Sequence, residues 1–183
     1  MIGYPIFLKF INLVFKPKPI KQCFNNELLV TYIIVAHNEE KVILGKLNNA
    51  IELDYPLEKI QFIVASDNST DSTNSIVESF IKDHPMFDIL LYCSVEHKGK
   101  TNAQNEAVRF AKGEILIMTD TNTLVNRNAV KKLVSCFVEK EIVYVCGKLE
   151  YVNTFNKTGD SESTYWDYDL SMRDIESRIN TTN

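Results

Sequence analysis

Asp120 and Asn122 stand at the end of an apolar run, Ile115-Leu116-Ile117-Met118-Thr119, and are separated by Thr121. In an extended segment, residues two apart project to the same side. A carboxylate and a carboxamide placed this way could share one ligand, such as a divalent cation with diphosphate oxygens. The same pair could instead start a turn and cap a helix beginning near Asn126. Two further polar clusters follow apolar runs upstream, Ala36-His37-Asn38-Glu39-Glu40 and Asp67-Asn68-Ser69-Thr70-Asp71. Three clusters of amides, hydroxyls and carboxylates suit a nucleoside and its phosphates, provided that the fold brings them together.

The elements needed to do so are legible as an alternation of strands and helices. The run before Asp120 carries no charge and reads as a strand buried on both faces. Residues 28–36 (LLVTYIIVA), 60–65 and 89–95 read as strands from their β-branched and aromatic content. Between them, 39–53 places Ile43, Leu47 and Ile51 on one helical face, and 72–82 places Ile76, Val77, Phe80 and Ile81 on another. Residues 100–112 form a helix whose Ala103, Ala107 and Ala111 allow close approach to a sheet. A further helix carries Val130, Leu133, Val134 and Phe137, and 142–146 reads as a last strand, ended by Gly147. Four such βα repeats predict an α/β fold with a mostly parallel sheet flanked by helices. In a parallel sheet the three polar clusters lie along one edge and converge on a single crevice.

Length and composition set bounds. A chain of 183 residues, 45% hydrophobic, is long enough to bury a proper core. A formal charge of −4 argues against a nucleic-acid partner held by a basic surface. Cys23, Cys93, Cys136 and Cys146 show no C-x-x-C spacing and read as reduced core residues, and the three histidines show no metal-ligand spacing. Residues 1–15 (MIGYPIFLKFINLVF) are apolar but contain Lys9 and are shorter than the roughly 20 residues of a spanning helix. They read either as a segment lying on a membrane or protein surface, at the cytoplasmic face, or as a disordered leader. Lys16, Lys18 and Lys21, with Pro17 and Pro19 between them, make a stiff basic linker. The expected first division is therefore 1–27 as N-terminal segment and linker.

Two glycine-loop readings fail. Gly99-Lys100-Thr101 resembles the end of a P-loop, but the position of its first glycine holds Ser94, and no G-x-G-x-x-G is present.

The motifs A-H-N-E-E at 36–40, D-N-S-T-D at 67–71, K-G-K-T-N-A-Q-N at 98–105, K-G-E-I at 112–115 and T-D-T-N at 119–122 together resemble the family-two glycosyltransferases. These have a GT-A, Rossmann-like fold and move a sugar from a nucleoside diphosphate donor, usually with inversion. The resemblance covers 28–147 in order. Beyond it, Tyr165-Trp166-Asp167-Tyr168 and Asp174-Ile175-Glu176-Ser177 look like the connecting helix of membrane-associated, polysaccharide-synthase-like members. The resemblance implies a nucleotide pocket lined by Ala36, Asn38 and Glu39, with Asn38 alternatively a helix cap. It implies that Asp67 bonds the base or ribose, or alternatively caps a helix, and that Asp71 braces a loop. Lys100 would meet the donor phosphates or stay solvated, Asn105 would support the pocket, and Asp120 with Asn122 would hold Mn²⁺ or Mg²⁺. The implied partners are a nucleoside diphosphate sugar, most simply a UDP-sugar, and a glycan or lipid-linked acceptor. The resemblance also implies 28–150 as nucleotide-sugar-binding domain and 151–183 as connecting loop and start of an acceptor-side helix.

Two departures qualify the resemblance. Asn122 replaces the second carboxylate of the family's D-x-D, which weakens a site for a hard cation. The general base of such enzymes is expected beyond Asn183, so the chain reads as the donor-binding portion, inactive alone. Asp160, Glu162, Asp167, Asp169, Asp174 and Glu176 are carboxylates available nearer by. The competing readings are a nucleotidyltransferase, disfavoured by the acidic His37-Asn38-Glu39-Glu40 where a basic Gly-rich loop is expected, and a nucleotide-free interaction module.

Overall fold

The computed structural model describes residues 22–24, 28–138 and 142–148. The chain divides into two compact units, Gln22–Val145 and a second formed by Met1–Lys21 with Cys146–Asn183. The account below concerns the first. The stretches at 1–15, 165–168 and 174–177, and the downstream carboxylates, lie outside the described residues.

Strand β1 (Val30–Ala36) is buried at all seven positions, and so is β2 (Ile60–Ser66). Such unbroken burial, in runs that are mostly apolar, suits parallel strands covered on both faces. They pair in register, Val30 with Ile60 through Ala36 with Ser66. Strand β3 (Asp88–Cys93) adds to β2, and β4 (Ile115–Asp120) adds to the other side of β1, both parallel. The order is β3-β2-β1-β4. The chain thus winds outward from β1 to β3 and returns to the far side of β1. That places a topological switch between β1 and β4, where open α/β sheets form their crevice.

Helices α1 (Ile43–Ile51), α2 (Thr73–Asp83) and α4 (Ala129–Ser135) cover one face. Their Ile43, Leu47, Val77, Phe80, Val130 and Val134 pack against Tyr32, Ile34, Phe62 and Val64. Helix α3 (Lys100–Val108) lies on the other face, where Ala103 and Ala107 are wholly buried against Ile33, Val35, Ile63 and Ala65. The small alanines let this helix sit close to β1 and β2. A buried polar tie follows it: Thr31 Oγ1 donates to Gln61 Oε1 at 2.9 Å, and Lys112 N donates to the same oxygen at 2.9 Å. Gly113 then passes so near β1 that an added Cβ would lie 2.3 Å from Thr31 N and 2.6 Å from the Val30 carbonyl carbon. The glycine of K-G-E-I is therefore a close-approach glycine.

Four expectations are corrected. Strand β4 is not buried on both faces: its positions alternate between half-buried and exposed, with Leu116 39% and Met118 46% accessible. It is an edge strand, and α3 packs over β1 and β2 instead of over it. Residues 142–148 form no strand, and Val143 is 86% accessible, so this apolar run joins no ladder of the sheet. Cys136 alone among the cysteines is buried; Cys23, Cys93 and Cys146 are exposed, Cys93 because β3 is the other edge. Helix α1 starts at Ile43, four residues later than expected, because 39–42 forms a turn closed by Val42 N and Ile43 N on Glu39 O. Among the described residues no helix is long and apolar enough to cross a membrane.

Candidate functional site at the carboxyl ends of β1, β2 and β4

The loop after β1 is clipped to the loop after β2 by a ladder of side-chain to backbone bonds. Asn38 N donates to Ser69 Oγ at 3.1 Å, and Thr70 N donates back to Asn38 Oδ1 at 2.8 Å. Glu39 N donates to Thr73 Oγ1 at 2.8 Å, Glu40 N to Asp71 Oδ2 at 3.1 Å, and Ser72 N to Glu40 Oε2 at 3.1 Å. Asn38 and Asn68 adopt left-handed backbone, φ 54° and 53°, which asparagine tolerates better than most residues. Asn38 therefore spends its side chain on the neighbouring loop and caps no helix. Asp71 braces the loop as expected. Desolvation opposes its ionisation, but bonds from the Thr73 hydroxyl and backbone and from Glu40 N outweigh this and hold its carboxyl below the ordinary value.

Asp67 governs the third loop. Its side chain is 1% accessible, and its two oxygens accept Lys98 N at 3.1 Å and Gly99 N at 2.8 Å. Gly99 has φ 89°, a conformation costly for other residues, and it immediately precedes Lys100 at the start of α3. The otherwise unexplained Gly99-Lys100 pair is thus a turn seized by a buried carboxylate, which delivers Lys100 to the crevice. His37 and His97, sixty positions apart in sequence, stack at 4.0 Å and 27° beside Asp67. Each directs Nδ1 to Asp67, His37 onto the carbonyl at 2.7 Å and His97 onto the carboxylate at 2.8 Å.

At the switch point Lys100 Nζ pairs with Asp120 Oδ1, and Asn122 Nδ2 donates to Glu39 Oε1 at 3.3 Å. Beside them lies a residue that no motif or spacing singles out. Lys46, on α1, is 1% accessible; its Nζ donates to Thr119 Oγ1 at 2.8 Å and Thr123 O at 2.5 Å. Burial pushes its ammonium down to about 8, opposed in part by the Asp120 carboxylate. The Tyr32 ring is its neighbour, 5.5 Å away, and burial raises the Tyr32 hydroxyl to about 12, so that group stays neutral.

These groups enclose a crevice of about 370 Å³ lined by Ala36, Glu39, Asp67, Lys100, Asp120 and Asn122, with both stacked histidines. Six of the eight residues selected from sequence therefore meet at one place. Asn38 braces the crevice from outside its lining, and Asn105 is exposed on α3 and does not line it. An inward face of α3 is taken by Ala103 and Ala107, which leaves Asn105 turned away.

Two donor sets could hold a cation. Asp120, Asn122 and Glu39 offer carboxylate and amide oxygens, the ligand chemistry of Mg²⁺ and Mn²⁺, and Glu39 restores a carboxylate beside the Asn122 that interrupts D-x-D. His37, Asp67 and His97 also place ligand atoms within 4.8 Å of one another. In that second set the imidazoles stack, their Nδ1 atoms face Asp67 and both carboxylate oxygens accept backbone N–H, so a cation there would displace the contact between His97 and Asp67. The set at Asp120 has the ligand types of a hard cation, with Asp120 Oδ1 held by Lys100 and Asn122 turning its Nδ2 to Glu39.

The four-stranded parallel sheet flanked by helices, with Lys100 paired to Asp120 at its switch point, has the GT-A architecture. The chain belongs to glycosyltransferase family 2, whose model, "Glycosyl transferase family 2", matches residues 31–182. It is 31% identical over 126 residues to the probable glycosyltransferase YdaM of Bacillus subtilis, a match covering 68% of this chain and 30% of that protein. It is 28% identical over 146 residues to a poly-beta-1,6-N-acetyl-D-glucosamine synthase of Staphylococcus epidermidis, covering 70% and 33% respectively. Among solved structures it resembles the mannosyltransferase PcManGT from Pyrobaculum calidifontis in complex with GDP-Man and Mn²⁺, with TM-score 0.69 and 31% identity over 74% of this chain and 40% of that one. S. aureus TarS 1-349 in complex with UDP aligns with TM-score 0.51 and 26% identity, covering 56% and 30%. The chain spans about a third of the curated relatives' length. Family membership replaces the nucleotidyltransferase reading.

Proposed function

We propose that the crevice binds a nucleoside diphosphate sugar, most simply a UDP-sugar, for transfer with inversion to a glycan or lipid-linked acceptor. The observation carrying this reading is the meeting of Lys100, Asp120, Glu39 and Asn122 at the β1/β4 switch point. Asp67 holds the turn at Gly99, and the turn presents Lys100 as a mobile point charge for phosphate oxygens. On donor binding the ammonium exchanges its carboxylate partner for phosphate, which frees Asp120. Asp120, Asn122 and Glu39 would hold Mn²⁺ or Mg²⁺, which neutralises diphosphate charge when bound. The stacked His37 and His97 wall the crevice near Asp67, where a flat base would find ring faces and polar edges.

Calorimetric titration of the purified chain with UDP, with and without Mn²⁺, tests the reading on the parent and on Asp120→Ala. Metal-dependent binding that is lost in Asp120→Ala is expected; absence of UDP binding under every condition rejects it. Residues 1–15 and the lysines at 16, 18 and 21 support a further proposal, contact with the cytoplasmic face of a membrane. Co-sedimentation with anionic vesicles, compared with neutral ones, checks that contact, and equal recovery with both would reject the charge argument.

A further inference from the structure

The donor-site reading gives the buried Lys46 no part. Lys46 is wholly enclosed on the central face of α1, yet it makes no ion pair among the described residues; its ammonium bridges a hydroxyl on the next-to-last residue of β4 and a carbonyl three residues past Asp120. A buried ammonium is costly unless its donors are satisfied, and methionine or leucine would fill a helix face at lower cost. The two acceptors, Thr119 Oγ1 and Thr123 O, flank Asp120, Thr121 and Asn122 on either side. One turn further along α1, Asn49 repeats the arrangement: its Nδ2 donates to Val125 O at 2.9 Å and its Oδ1 accepts Val125 N at 2.8 Å. Helix α1 thereby grips the segment 119–125 at three points.

We propose that Lys46 is a positioning residue for the donor site: it draws the two ends of the Asp120–Asn122 turn together and so fixes where the Asp120 carboxylate faces Lys100 and the diphosphate. The proposal rests on the reading of Asp120 as the donor-site carboxylate. Lys46 itself touches neither donor nor cation. Its tie closes a turn of only three residues, so loss of either bond lets Asp120 rotate away from Lys100 and from Asn122. The base and ribose side of the crevice, held by Asp67 and the β1 and β2 loops, has its own bonds and does not depend on Lys46.

The test compares the parent with Lys46→Met and with Thr119→Val, which keeps the charge and removes one acceptor. Binding of UDP with Mn²⁺ and of uridine alone is measured by calorimetry, and backbone hydrogen exchange is followed over 119–125. In Lys46→Met, UDP affinity with Mn²⁺ is expected to fall at least about tenfold, the scale of one lost charge-assisted bond, with uridine affinity held within about twofold. Exchange at 119–125 should quicken in both variants. A purely structural role would weaken UDP and uridine alike. Equal loss of both ligands, or unchanged UDP affinity with unchanged exchange in either folded variant, overturns the proposal. Should Lys46→Met fail to fold, Thr119→Val decides by the same two readouts. A parent that binds uridine but not UDP rejects the donor-site reading and the functional half of the proposal, while exchange over 119–125 still decides whether Lys46 fixes the turn.

Discussion

Substituting Asp67→Asn changes almost no volume but removes a charge and one acceptor from a site that is 1% accessible. Both carboxylate oxygens accept backbone N–H, from Lys98 and Gly99, and His97 adds a third bond. An asparagine has one oxygen, so one of those amides must face an NH₂ group. Loss of a charge-assisted bond costs about 1.5–3 kcal/mol, and a buried donor left unpaired costs a further 1–3 kcal/mol or so. Allowing for relaxation of the Gly99 turn, about 3 kcal/mol is expected, which lowers Tm by roughly 6–12 °C in a chain of this size. Urea unfolding followed by circular dichroism measures the global part. Hydrogen exchange at the Lys98 and Gly99 amides measures the local part, and about a hundredfold faster exchange corresponds to the same free energy. Asp67→Asn unfolding within about 0.5 kcal/mol of the parent, with both amides still protected, would refute the reasoning that this carboxylate holds the β3–α3 turn.

Other outcomes follow from the same geometry. Gly113→Ala drives a methyl into the β1 backbone, not into a flexible side chain, and should cost about 2–3 kcal/mol in urea unfolding. Lys46 is depressed in the folded state to about 8 from 10.5, so the unfolded chain binds more protons between those values. Its contribution to stability therefore rises with pH from about 8 to 10.5, and the parent-minus-Lys46→Met difference in unfolding free energy, measured across that window, should carry this slope. Thr73→Val removes the hydroxyl that donates to Asp71, and a carbon-detected NMR titration should show the Asp71 carboxyl moving up toward its ordinary value.

The parallel sheet was legible because Tyr32, Ile34, Phe62 and Val64 sit in runs that only two-sided burial explains, and because each run stops at a polar cluster. Once the strands are parallel, Glu39, Asp67 and Asp120 must share an edge, so most of the crevice followed from pattern and spacing. What escaped depends on contacts between distant segments. His37 and His97 meet only because β2 separates the two loops that carry them and Asp67 lies between. Lys46 reads as a solvent residue on an amphipathic helix, and nothing local reveals that Thr119 and Thr123 await it. The exposure of Leu116 and Met118 reflects strand order, which apolar content alone does not encode. Residues 142–146 have the composition of a strand without the pairing, since β propensity describes fit to a half-buried pleat more than an intrinsic backbone preference.

The position of β1 also bears on how the protein is made. Among the described strands β1 comes first in the chain and lies inside the sheet, pairing with Ile60 on one side and Ile115 on the other. At about 5–20 residues per second, Val30 waits on the order of ten seconds for its second neighbour. Throughout that interval a largely apolar strand has an edge uncovered, an invitation to pair with another nascent chain. Translation speed between the codons for β2 and β4 should therefore set the yield of soluble protein, and slowing it there should favour chaperone capture over native pairing.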